Sequence, residues 1–100
     1  MSKDEITRYL VSIGYNKAQA EFKAEIISGL EKDMQEGIVS FQYLKKDGTI
    51  RDASGTLSSE LVPPTNGTGN KKSIGVFTYF DTDKQEWRCF KLGNIISRIS

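Results

Sequence analysis

Six cations and two rings carry the chemistry that this sequence offers. Arg51, Arg88, Lys91 and Arg98, with Lys45 and Lys46 at a hairpin tip, are placed to contact an anion. Arginine presents a planar fork that meets a phosphate through two parallel hydrogen bonds. Tyr79 and Trp87 lie among these cations in the chain. An exposed ring can stack a base, worth about 1–3 kcal/mol each. Together these types point to a nucleotide or single-stranded nucleic acid. The competing reading is a solvated basic surface, paired locally with Asp47, Asp52 or Asp81. For the rings, the competing role is core packing, where removing a buried tryptophan costs about 3–5 kcal/mol. Trp87 is expected to pack in this way; Tyr79, with its polar tip, suits either role.

Other chemistry is poorly supplied. The chain has no histidine and one cysteine. It therefore lacks the commonest general base and the commonest metal ligand. A structural zinc site within one chain is not expected. Cys89 has no histidine to activate it and sits in a strand pattern, so a buried apolar role is expected. Lys71-Lys72-Ser73 has the flavour of a phosphate loop, but the glycine spacing fails. Asp81-x-Asp83-x-Gln85 begins like a calcium loop, yet Glu86 and Leu92 stand where glycine and glutamate are required. The expectation is a protein that is not an enzyme and uses no cofactor.

One hundred residues suggest one compact domain. No apolar run is long enough to span a membrane, and the charged start Met-Ser-Lys-Asp-Glu does not resemble a secretory leader. A single cysteine suits a reducing, cytoplasmic setting. The Asn66-Gly-Thr68 sequon then carries no weight. Net charge is +1, but unevenly spread. Residues 1–37 hold five basic and seven acidic side chains, and residues 38–100 hold nine and six. The second part is mildly electropositive, far from the strongly basic balance of a dedicated nucleic-acid protein.

These residues must be positioned by the elements around them. Ser2-x-x-Glu5 has capping-box spacing. Ile6, Tyr9, Leu10 and Ile13 follow on one helical face, and Gly14 stops the helix. Asn16-x-x-Gln19 repeats the cap. Ala18, Phe22, Ile26, Leu30 and Met34 recur every four residues, with Ile27 beside them, and predict a helix over 17–35. Its surface is acidic, which argues against a DNA recognition helix. Packing, or a dimer through helix 17–35, remains open. From Val39 the period changes to two. Strands are expected from Val39 to Tyr43 and from Thr49 to Thr56, around an Asp47-Gly48 turn. Gly55 is a bulge or corner. Ser58-Ser-Glu60 allows one helical turn, ended by Pro63-Pro64, and 65–72 reads as a loop. Ile74–Phe80 and Trp87–Phe90 form a second hairpin, and Ile95–Ile99 a short closing strand. The fold class is α+β: an N-terminal helical hairpin (1–37) packed on a five-stranded SH3-like, Sm-like barrel (38–100), as one unit.

With the strands laid out, Tyr43-x-x-x-Asp-Gly-Thr-x-Arg51, Gly55-Thr-Leu57, Tyr79-Phe-Asp-x-x-x-x-x-Trp-Arg-x-Phe90 and Asn94-Ile95 resemble the WYL_2 family. That resemblance covers residues 38–99. It implies an Sm-like, SH3-type β-barrel of phage association, related to the WYL domains of bacterial regulators. In those domains an aromatic-Tyr-apolar triplet and an arginine-rich last strand hold a nucleotide or nucleic acid. Thr78-Tyr79-Phe80 stands at the triplet, and Arg88 and Phe90 match the next strand. Asn94 stands where the regulators have a final arginine. The function expected is a binding module for nucleotide or single-stranded nucleic acid. The alternative is an adaptor or phage accessory factor that engages a host or virion protein.

Overall fold

A computed structural model describes residues 2–62 and 75–99. Pro63-Pro64, the 65–72 loop, the Asn66 sequon, Lys71-Lys72-Ser73 and Ile74 lie outside them. Two helices precede five strands. Helix α1 spans Lys3–Ser12 and α2 spans Lys17–Met34. Both begin with the expected reciprocal caps. Ser2 Oγ accepts from the Glu5 amide at 3.2 Å, and Asn16 Oδ1 from the Gln19 amide at 2.8 Å. Gly14, at φ +116°, lets the chain leave α1.

The strands are β1 (Ile38–Leu44), β2 (Ile50–Thr56), β3 (Val76–Asp81), β4 (Glu86–Lys91) and β5 (Ile95–Arg98). They form one antiparallel sheet in the order β4-β3-β2-β1-β5. The β1–β2 loop is one residue longer than a two-residue turn. Lys45 N donates to Thr49 O at 2.7 Å, and Gly48 alone takes a positive φ, +88°. Asp47 closes this loop by accepting from the Thr49 amide and hydroxyl. A short 3-10 turn, Leu92–Asn94, makes the expected break before β5.

Strand β2 pairs with β1 along its whole length but with β3 only through Gly55 and Thr56. The sheet turns its corner there. Thr56 Oγ1 lies 3.0 and 2.7 Å from the carbonyls of Met34 and Gly37, and Leu57 N donates to Met34 O. The Met34 carbonyl would otherwise be an orphan at the end of α2. The corner is thus bolted to the helix.

One core joins both parts. Ile6 and Leu10 of α1 and Ala20, Ala24, Ile27, Leu30 and Met34 of α2 pack with Phe41, Tyr43, Phe77, Tyr79, Phe90 and Ile95. The expected stripe on α2 needs correction at its N-terminal half. Ala18 is exposed and Phe22 is 61% exposed, while Ala20 and Ala24 are buried. Small alanines let a neighbouring helix approach closely, and a count of large apolar residues overlooks them. The turn at Ser58 is present: Leu61 N and Val62 N both donate to Ser58 O. Among the described residues, no helix is long and apolar enough to cross a membrane.

Candidate functional site

Register decides which cations meet. Tyr43 faces Arg51 across β1–β2, Tyr79 faces Arg88 across β3–β4, and Asp81 faces Glu86. All six belong to the inward face. Their side chains form one charged cluster beside the aromatic core. Arg51 Nη2 donates to Asp81 Oδ2 at 2.5 Å. Arg88 Nη2 donates to Glu86 Oε1 at 2.5 Å, and its Nε lies 4.0 Å from Asp81 Oδ2. The Nε atoms of Arg51 and Arg88 are buried and have no hydrogen-bond partner. Two guanidinium groups and two carboxylates leave the cluster without net charge.

Asp81 is the centre of it. Its side chain is fully buried. The amides of Asp83 and Lys84 each donate to its Oδ1 at 2.9 Å. Burial is the largest single influence and pushes its carboxyl up. The Lys84 amide, the Arg51 guanidinium and the Asp83 amide together outweigh burial, so the carboxyl lies below its ordinary range. Arg51 is held charged, first by the hydrogen bond to Asp81.

Tyr79 is fully buried. Its hydroxyl lies 3.1 Å from the Tyr43 hydroxyl, and its ring meets Phe41 edge-on at 5.1 Å. Burial, then the Tyr43 hydrogen bond, raises the phenol. Gly55 is needed beneath this ring, because a Cβ there would stand 2.4 Å from Tyr79 Cδ2. The ring offers no free face for a base.

The other candidates lie elsewhere. Lys45 and Lys46 are exposed at the β1–β2 loop. Lys91 is exposed on the outward face of β4, opposite Val76. Arg98 pairs with Asp33 of α2 at 2.6 Å. The structure therefore unites Arg51, Tyr79 and Arg88 but turns them inward, and Lys91 points away from them. Two core expectations are corrected. Trp87 is 41% exposed, and Cys89 is exposed. Both lie on the outward face of β4, which runs at an edge of the sheet. Phe80, paired with Trp87 on that same face, is only 5% exposed. A single sequence does not reveal which strand lies at an edge, so alternation could not settle which face was solvated.

Comparison with known proteins agrees with this architecture. Residues 27–96 match WYL_2, described as an Sm-like SH3 β-barrel fold. The chain belongs to the WYL_2 family. The match starts at residue 27, inside α2, earlier than the strand pattern suggests. Ile27, Leu30 and Met34, which anchor the helix in the barrel core, fall within it. The chain is also 31% identical, over 87 residues, to the "Uncharacterized 11.5 kDa protein in Gp31-cd intergenic region" of Enterobacteria phage T4. That alignment covers 81% of this chain and 84% of the phage protein. No solved structure matches. This WYL_2 chain is therefore a phage-linked Sm-like domain carrying a helical hairpin.

Proposed function

We propose that this WYL_2 chain is a non-enzymatic binding module for nucleotide or single-stranded nucleic acid, working in the cytoplasm. One observation supports the reading. Lys45, Lys46 and Lys91 are exposed and form no ion pair among the described residues. The two inward arginines have spent their charge on carboxylates and serve to shape the barrel. Free outward lysines attract phosphates without specifying a sequence.

Titration of a labelled single-stranded oligonucleotide, followed by anisotropy, tests this. Binding is expected at low salt, and log K should fall against log salt by about 0.7 for each phosphate neutralised. Lys45→Ala with Lys46→Ala should reduce that slope by about 1.4. Absence of binding below about 10⁻⁴ M at low salt would count against the reading.

A second reading rests on a separate observation. Leu44 and Ile50 face each other across β1–β2 and are 38% and 60% exposed. An outward aliphatic pair suits an adaptor that engages a host or virion protein. Capture of such a partner from lysate after nuclease treatment, lost in Ile50→Asp, favours that role.

A further inference from the structure

We infer that the outward face of the β3–β4 hairpin is a stacking platform for single-stranded nucleic acid, with Trp87 as the base-binding ring and Lys91 as a phosphate contact. This rests on the binding function proposed above and assigns its surface.

The face is made of Val76, Thr78 and Phe80 on β3 and Trp87, Cys89 and Lys91 on β4. It carries no carboxylate. The acidic residues of these strands, Asp81 and Glu86, point to the other side and are already paired with arginine. The joining turn adds Asp83 and Lys84, one charge of each sign. An anionic strand laid along this face meets one unopposed cation, Lys91, and no buried charge.

Trp87 is braced for stacking. Its ring meets Phe80 edge-on, at 5.5 Å and 74°. Phe80 is only 5% exposed and so acts as a fixed stop. With 41% of its surface exposed, the indole stays accessible to a base, and holding the ring in place lowers the ordering cost of binding. Every base has a π face, so such a platform is tolerant of sequence. Trp87 and Lys91 are four residues apart on one strand face, about 13 Å at the usual rise. That separation suits a base and the phosphate of a nearby nucleotide on one strand. It exceeds what a single mononucleotide spans comfortably.

Trp87 is the sole tryptophan, so the protein reports on its own site. The experiment is an intrinsic-fluorescence titration of the full chain with a short oligothymidylate at low salt. Stacking quenches the indole in step with the anisotropy signal of the labelled strand. Trp87→Ala should weaken binding about 5- to 150-fold, the loss of one stacked base. Trp87→Phe should restore most of it, and circular dichroism checks that both variants keep the fold. Lys91→Gln should lower the salt slope by about 0.7. Oligonucleotide binding with unchanged Trp87 fluorescence, or with full affinity in Trp87→Ala, overturns this surface and leaves the binding function standing. Equal quenching by thymidine monophosphate overturns the single-strand assignment. No binding in either signal removes the binding function itself.

Discussion

Asp81 is the charge on which the inner cluster depends. It is fully buried, and it anchors Arg51 while Arg88 leans on it from 4.0 Å. Removing one partner of a buried pair strands the other and costs about 3–5 kcal/mol. Asp81→Ala should lose that much in urea denaturation, and Asp81→Asn less, because the amide still accepts. The acid dependence follows from the lowered carboxyl. Its folded pKa lies below the unfolded value of about 3.9, so the stabilisation is complete above that value. It is lost as pH falls through the lower, folded value. The urea midpoint should therefore drop on acidification below about pH 4, with a flatter profile in Asp81→Asn. Gly55 is a second sensitive position. A methyl there would collide with the Tyr79 ring, and Gly55→Ala should cost about 1–3 kcal/mol as overpacking. The pairing of Arg51 with an aspartate was one of the readings open from sequence. The burial of Tyr79 was not legible, because a tyrosine hydroxyl can be satisfied by water or, as here, by Tyr43.

Helix α2 illustrates where element-level reading succeeds and fails. The caps and stops were legible because they depend on three or four neighbouring residues. Asn16→Ala should therefore cost about 1 kcal/mol in thermal unfolding. The buried face was legible only from Ile27 onward. Phe22 is outward, so Phe22→Gln should stay within about 0.5 kcal/mol of the parent. Ile27→Ala, in the core, should cost about 2–5 kcal/mol. Equal losses in the two variants would contradict the helix orientation. On β4 the strand was correctly read, yet its solvated face was not. Which side of Trp87-Arg-Cys-Phe90 is solvated depends on sheet order, a long-range fact. The same register places Arg88 inward and Lys91 outward, which separates two residues that chain proximity suggested would act together.

At the scale of the whole molecule, the net charge of +1 hides a division of labour. Inward guanidiniums are neutralised by carboxylates and hold the barrel's shape. Lys45, Lys46, Lys91 and Trp87 stay exposed on the outside. The family match, beginning at Ile27, follows the same logic, since the barrel core is incomplete without the second half of α2. The most direct test of this inside–outside division is amide chemical-shift mapping during titration with a short oligothymidylate. The account predicts shifts centred on Trp87, Cys89 and Lys91, with weaker ones at Lys45 and Lys46, and little change at Arg51, Tyr79 and Asp81. Shifts centred on Arg51, Tyr79 and Asp81, with Trp87 and Lys91 unmoved, would contradict it.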